Sequence, residues 1–219
     1  MKSWTLPARA RNEGRHDASS PKRFPRFQPY RTADHGGVRR HCRQRRSAVH
    51  RKSAGLNRAR DILDVTSALS SACVRHARDT GSTAVEFTAA RGGHSYTQPR
   101  FHELSMPQRG SKWKGPYLDR PLTLEDNPYG GAIYLQNNLS ASPANGFDLH
   151  GVGTAEQQGS GQFCVFYGIP ERVARSIDAS MDKDLSDEPG DAWRYTGKVE
   201  WSPSAGGALM IYIMSAKKQ

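Results

Sequence analysis

Long apolar runs are missing from this sequence. No stretch approaches the roughly 18–20 consecutive apolar residues that a helix needs to span a bilayer. The N-terminal residues are charged but are not followed by the apolar core of a secretory signal peptide. As written, the chain is therefore expected to be soluble or peripheral. Hydrophobic residues make up only 36% of its 219 residues, which predicts one domain with a tail rather than a chain packed from end to end.

Cysteine is also scarce. Cys42, Cys73 and Cys164 lie far apart, and no CxxC pair occurs. Three cysteines allow one disulfide at most, so cysteine usage does not indicate whether the protein lies in an oxidising or a reducing compartment. Cys73 and His76 form a CxxH, and His41, Cys42 and His50 lie upstream, but this spacing matches no known zinc site. We predict a half-buried cysteine and a surface histidine instead, and no metal or other cofactor.

Catalytic motifs are absent. The sequence has no GxSxG, no P-loop, no GxGxxG after a strand and no HExxH. An acidic run resembles the start of a calcium loop and consists of Asp182, Asp184, Asp187 and Glu188. In an EF-hand beginning at Asp182, however, Asp187 would replace the required glycine and Trp193 the bidentate glutamate. We predict a solvated acidic turn, and a protein that is not an enzyme and has no small-molecule substrate.

Acidic residues are rare in the N-terminal part. Residues 1–60 hold 17 Lys and Arg against 3 Asp and Glu, whereas residues 121–219 hold 7 against 12. The net charge of +11 therefore belongs to the N-terminal part and does not describe the whole chain. The arginines of this part include Arg39, Arg40, Arg43, Arg45, Arg46 and Arg51.

Residues 1–57 contain few apolar side chains, and these show no period, which predicts a disordered tail. Clustered arginines also suit nucleic-acid binding through release of phosphate counterions. No RNP motif, zinc-finger spacing or helix-turn-helix pattern accompanies them. Runs of this kind also arise when GC-rich DNA is translated in an unintended frame. An uninformative tail is the favoured interpretation, and a nucleic-acid-binding arm is the alternative.

A folded domain is predicted over residues 58–219. Apolar residues at helical spacing predict an amphipathic helix over 58–79, with Asn57 as a cap and Gly81 after its end. Residues 82–111 are expected to be mostly loop, with a helical turn near 83–90. Residues 112–131 contain three prolines, three glycines and the aromatic residues Trp113, Tyr117 and Tyr129, which predicts an ordered loop pinned to a core.

Residues 132–219 are expected to form strands interrupted by a short helix at 170–182, with Pro170 at its first position. The predicted strands are 132–136, 146–150, 162–167, 193–201 and 208–214. A hairpin turn is expected at 202–207. Short connections favour an antiparallel sheet that packs on the first helix, in an α+β fold.

Three stretches of the chain resemble the soluble part of type IV pilin-like proteins, most closely the major pseudopilin of type II secretion systems. The segment DILDVTSALSSACVRHARDTGS resembles the end of the pilin spine helix. The segment WKGPYLDRP, followed by NPYGG, resembles the family's W-x-GPY-L loop and the element after it. The segment GFDLHGVG resembles the family's Phe-Asp-Leu-Tyr-Ser-Leu-Gly strand and turn. The matching positions are Trp113, Gly115, Pro116, Tyr117, Leu118, Pro128, Tyr129, Gly130, Asp148, Leu149 and Gly153.

The resemblance implies a non-enzymatic structural subunit of a pilus or secretion filament. Its partners would be other pilin-like subunits and the secretion or pilus machinery. Its location would be the inner membrane and periplasm of a bacterium if the gene product carries the family's N-terminus. Residues 1–57 do not contain the family's basic leader, its Gly-Phe cleavage site or its apolar helix, so a wrong start site or a frameshift is expected. The family's calcium aspartates are replaced by TAEQQGSGQ, in which Glu156 is the one acidic residue.

Overall fold

The structure is a computed structural model, and it describes residues 39–88, 98–183, 185 and 190–216. Within these residues the chain forms two α-helices and one five-stranded sheet. The helices are α1 (Arg39–Thr80) and α2 (Glu171–Met181). The strands are β1 (Glu86–Phe87), β2 (Ile133–Asn138), β3 (Ser160–Tyr167), β4 (Val199–Ser202) and β5 (Ala208–Ser215).

Helix α1 begins at Arg39, so the predicted start near residue 58 is wrong. No proline interrupts residues 39–80, and Arg, Lys, Gln and Ala are good helix formers. Once its C-terminal half is docked, the helix extends backward without a second nucleation step. The helix has 42 residues and is therefore about 63 Å long. Residues 1–38 of the predicted tail lie outside the described part of the chain.

The predicted end of α1 is confirmed. Gly81 has φ +75 and donates its backbone N–H to Ala77 O at 2.9 Å. A positive φ at this position is the usual glycine stop of a helix, because an L side chain would be strained there. The chain then turns back toward the sheet.

The strands lie in the order β1-β2-β3-β5-β4, and every neighbouring pair is antiparallel. This confirms a mixed α+β fold with an antiparallel sheet. β2, β3, α2 and β5 lie close to their predicted positions, and β4 and β5 are joined by the short connection expected at 202–207.

Three local predictions are wrong. Residues 86–87 form β1 rather than a helical turn, because Glu86 pairs with Leu135 and Phe87 with Tyr134. The predicted strand at 146–150 is reduced to one bridge between Phe147 and Gln157. The predicted strand at 193–201 begins only at Val199, because residues 192–194 form a 3-10 turn that buries Trp193.

The main core lies between the helices and one face of the sheet. Ile62, Leu69 and Cys73 of α1 pack in one cluster with Leu135 and Phe166 of the sheet. The buried face of α2 joins the same cluster through Val173, Ala174 and Ile177. The amphipathic pattern of both helices thus corresponds to the side they bury.

The opposite face of the sheet is covered by residues 139–159, which we call the covering segment. Its Leu139 and Phe147 pack with Phe163, Val165 and Met210 of the sheet in a second apolar cluster. The sheet is consequently buried on both faces, although only one face carries helices.

Candidate functional site: the loop between the long helix and the sheet

Tyr117 is the centre of the loop 112–131. Its side chain is 6% exposed, and its hydroxyl donates to Asp79 Oδ2 at 3.1 Å and accepts from Lys114 N at 3.0 Å. Its ring meets the His76 ring edge-on, with 5.4 Å between centroids. Arg75 Nη2 donates to Tyr117 O. Tyr117 therefore joins the loop to the last turns of α1.

Trp113, a second aromatic residue of the loop, is partly buried against the main core. Its indole N–H donates to Glu103 O at 2.8 Å, and its ring lies 5.7 Å from the Tyr117 ring in an edge-on arrangement. Gly115 is required by this packing, since a Cβ there would lie 2.4 Å from Trp113 Cζ2. The Gly115–Pro116 peptide bond is cis. Leu118 follows and packs on the same core.

The NPYGG turn fixes the far end of the loop to the sheet. Asn127 Nδ2 donates to Tyr167 O at 2.8 Å, and Asn127 Oδ1 accepts from Tyr129 N at 2.9 Å. Gly131 lies so close to β3 that a Cβ would be 1.9 Å from Tyr167 O. The Arg58 guanidinium lies 5.1 Å from the centre of the Tyr129 ring, which links this turn to α1. Pro128 lies within the turn, and Gly130 adopts φ +70 at its end.

The remaining predicted positions lie on the other face of the sheet. Asp148 is 5% exposed, and its two carboxylate oxygens accept from Val152 N at 3.0 Å and Gly153 N at 2.7 Å. Its backbone carbonyl accepts from Gly197 N at 2.7 Å. Leu149 packs on the second apolar cluster, and Gly153 has φ +82. The structure thus brings the positions of the loop 112–131 together around α1 and places Asp148, Leu149 and Gly153 in a separate turn of the covering segment.

A buried polar cluster at β1 was not predicted from the sequence. Glu86 Oε1 accepts from the Ser105 hydroxyl at 2.7 Å and lies 3.0 Å from His102 Nδ1. Glu86 Oε2 accepts from Leu104 N at 3.0 Å. Burial raises the pKa of Glu86, and the bonds from Ser105, His102 and Leu104 oppose that shift.

This cluster does not have the geometry of a Ser-His-acid triad. In a triad the histidine lies between the nucleophile and the carboxylate, whereas here Glu86 bonds both Ser105 and His102. Glu86 and His102 are fully buried, so a substrate has no access to them. The cluster instead attaches the 98–118 segment to the sheet.

The acidic turn after α2 is not fully solvated, in contrast to the prediction. Asp182 is 8% exposed, and its Oδ2 accepts from Lys198 N at 2.8 Å and Val199 N at 2.9 Å. Asp178, one turn earlier, is 3% exposed. Burial and the charge of Asp182 raise the pKa of Asp178 to about 7. The other acids of the run, Asp184, Asp187 and Glu188, lie outside the described residues.

Cys73 and His76 are more buried than predicted. Cys73 is fully buried and His76 is 4% exposed. Burial raises the pKa of both buried thiols, that of Cys164 to about 12, and lowers the pKa of His76. His76 Nδ1 lies 3.2 Å from Ser82 O. In the part of the chain that the structure describes, no three His, Cys, Asp or Glu residues are grouped so as to hold a metal ion.

Comparison with known proteins gave no match to a family model, a curated protein or a solved structure. Among the described residues, no helix has the length and apolarity needed to cross a membrane. The arrangement of this site is that of a structural joint: its polar atoms bond to one another and its aromatic rings pack on the core.

Proposed function

We propose that residues 58–219 form a pilin-like head domain that acts as a structural subunit of a type IV pilus-like or type II secretion filament. The observation that carries this proposal is the loop 112–131. It packs against the last turns of a long amphipathic helix and ends directly before β2, the first long strand of an antiparallel sheet. Its WKGPYL part bonds to the helix and its NPYGG part bonds to β3. These two parts carry the motifs that resemble the family's W-x-GPY-L loop and the element after it.

The remaining resemblance supports the same proposal. The FDLHGVG segment follows β2 and forms a tight turn in which the Asp148 carboxylate accepts two backbone N–H groups. Such a turn explains why an aspartate and a glycine are needed at these two positions. The polar groups of both motifs are used internally, which suits a protein that acts by assembly rather than by catalysis.

The coding DNA provides a direct test. The DNA upstream of codon 58 should be translated in all three frames. We expect one frame to encode a Gly-Phe-type cleavage site followed by about 20 apolar residues, the length that spans a bilayer. If no frame encodes such a segment, the filament proposal loses its mechanism of membrane insertion and assembly.

A second experiment tests the partners. Tagged full-length protein should be purified from its native cells after mild cross-linking, and the captured proteins identified by mass spectrometry. Pilin-like subunits and assembly proteins are expected. Capture of nucleic-acid-associated proteins without any pilin-like protein would contradict the proposal.

The alternative is a nucleic-acid-binding role for the basic arm. It is favoured by one observation: residues 39–57 are helical, so the arginines of this stretch lie on a regular scaffold. From residue 39 to residue 60 the sequence contains no Asp or Glu. A basic helix of this kind is suited to contacting phosphates.

Salt-dependent DNA binding separates the two functions. If the arm binds, log affinity for duplex DNA should fall linearly with log salt concentration. A glutamine variant of the arm keeps helix propensity and removes its charge. It replaces Arg39, Arg40, Arg43, Arg45, Arg46 and Arg51. The matched control removes the same number of charges outside the arm and replaces the exposed residues Arg78, Arg100, Arg109, Lys112, Lys114 and Arg172 by glutamine. Loss of binding in the arm variant alone would support the alternative, and equal affinities would exclude it.

A further inference from the structure

Glu200 is buried between the sheet and the covering segment. It is the second residue of β4 and pairs with Met210 of β5, which belongs to the second apolar cluster. Its neighbours Val199 and Trp201 belong to the main core on the other side of the sheet. Because side chains alternate along a strand, Glu200 points toward the covering segment. It is fully buried there.

The carboxyl of Glu200 has no hydrogen-bond partner for either oxygen among the described residues. The Ser142 hydroxyl is near enough to favour the ionised form, but it donates its hydrogen bond to Gly146 O at 3.0 Å. Gly146 N in turn donates to Ser142 Oγ at 2.9 Å. A buried, unpaired carboxylate is costly, so the neutral acid is the form that fits this site. Burial raises the pKa of Glu200 to about 8.

The other titratable and charged groups around this layer are engaged elsewhere or exposed. The Asp148 carboxylate accepts two backbone N–H groups, and His150 Nδ1 lies 2.7 Å from Glu156 Oε1 at the surface. The hydroxyl oxygen of Tyr212 in β5 lies 3.0 Å from Ser215 Oγ. Of the titratable groups around this layer, Tyr167 and Tyr212 lie on the sheet face, Lys198 directly precedes β4, and the covering segment contributes Asp148, His150 and Glu156. Within the described residues, no charged side chain offsets the burial of Glu200.

We propose that Glu200 is a proton-dependent switch for the covering segment: residues 139–159 lie closed on the sheet while the carboxyl is neutral, and loss of its proton favours their release. An ionised Glu200 must reach water. On the other side of β4 lies the main core with α2, whereas the covering segment is a single layer of turns. Release of the covering segment brings water to the carboxyl, and it uncovers the apolar face that contains Phe163 and Met210.

The sign of the pH dependence follows from linkage. In the open state Glu200 is solvated and has an ordinary carboxyl pKa, and in the closed state its pKa is raised to about 8. The open state therefore binds fewer protons between about pH 5 and pH 8. Opening should become about tenfold more favourable per pH unit in this window and level off above it.

Hydrogen exchange of the full chain tests this directly. Exchange should be measured by mass spectrometry from about pH 5 to pH 9, with each rate divided by the intrinsic rate at that pH. In the wild type, protection of residues 139–159 should fall about tenfold per pH unit up to about pH 8. Protection of α1, β2 and β3 should fall much less.

Glu200→Gln keeps the shape and cannot ionise, so protection of the covering segment should lose its pH dependence. Glu200→Met serves the same purpose if the glutamine variant does not fold. Glu125→Gln, at an exposed position outside this layer, is the matched control and should behave as the wild type.

Three outcomes would overturn the proposal: pH-independent protection in the wild type, an unchanged pH dependence in Glu200→Gln and Glu200→Met, or equal loss of protection in α1 and the covering segment. The last result would show global unfolding in place of local release.

Discussion

The hydroxyl of Tyr117 and the carboxylate of Asp79 lie 3.1 Å apart, and this hydrogen bond joins the loop 112–131 to the last turns of α1. The same hydroxyl accepts from Lys114 N. Tyr117→Phe removes both bonds and keeps the ring in place. We expect a loss of about 1–3 kcal/mol in the free energy of unfolding, because one bond is to a charged group and one N–H is left unpaired.

Urea denaturation followed by tryptophan fluorescence measures this loss. Tyr195→Phe is the control, since Tyr195 is 43% exposed, and it should change stability by less than about 0.5 kcal/mol. Equal midpoints for the two variants would show that the Tyr117 hydroxyl does not hold the loop.

The docking of α1 can be tested at Leu69, which is fully buried in the main core. Leu69→Ala should lower the free energy of unfolding by roughly 2–5 kcal/mol, since it removes apolar contacts and leaves a cavity. Val74→Ala on the same helix is the control, because Val74 is 55% exposed. If the two variants unfold at the same denaturant concentration, α1 is not docked as described.

Gly131 and Gly130 require glycine for two different reasons, a close approach to another backbone and a positive φ. A Cβ at Gly131 would collide with Tyr167 O at 1.9 Å, and backbone cannot rotate away as a side chain can. Gly131→Ala should therefore destabilise the protein by about 3 kcal/mol. At Gly130 a Cβ meets no atom within 4 Å, but φ is +70, so Gly130→Ala should cost only about 1–2 kcal/mol.

Thermal unfolding of the two glycine variants under identical conditions shows which substitution destabilises the protein more. The Gly131 variant is expected to have the lower melting temperature. The reverse order would mean that the NPYGG turn does not approach β3 as closely as described.

The raised pKa of Asp178 predicts that the free energy of unfolding falls as pH rises. Burial, assisted by the charge of Asp182, raises its pKa from 3.8 to about 7. Between about pH 4 and pH 7 the folded protein therefore holds a proton that the unfolded chain has released, so the free energy of unfolding falls through this window. Asp178→Asn should reduce the slope.

Denaturant unfolding at several pH values between about 4 and 7 measures that slope. Asp64→Asn, at an exposed position of α1, is the control and should retain the wild-type slope. A slope that is unchanged in Asp178→Asn would show that Asp178 is solvated and ionised in the folded protein.

The elements that were predicted well are determined by residues that are neighbours in sequence. Helix α2 has its apolar residues on one face, and β3 and β5 are apolar runs of strand length. The aromatic and glycine content of the loop 112–131 also predicts an ordered, anchored segment. In each case the residues that decide the structure are neighbours in sequence.

The elements that were missed depend on distant partners. Strand β1 has two residues and exists because β2 pairs with it. The Glu86 cluster joins residues 16–19 positions apart. Glu200 lies in an alternating Val-Glu-Trp pattern that normally places a charged residue in solvent. Its burial follows from the covering segment, whose position on the sheet no local pattern predicts.

The order of the strands has a consequence for how the protein is made. β5 pairs with β3 on one side and β4 on the other. A nascent chain that has not yet released residues 208–215 from the ribosome lacks a central strand, so β3 keeps an open edge and β4 has no partner. Until residues 208–215 have emerged, the sheet cannot be completed. During synthesis the apolar edge of β3 is exposed to chaperones and to other growing chains.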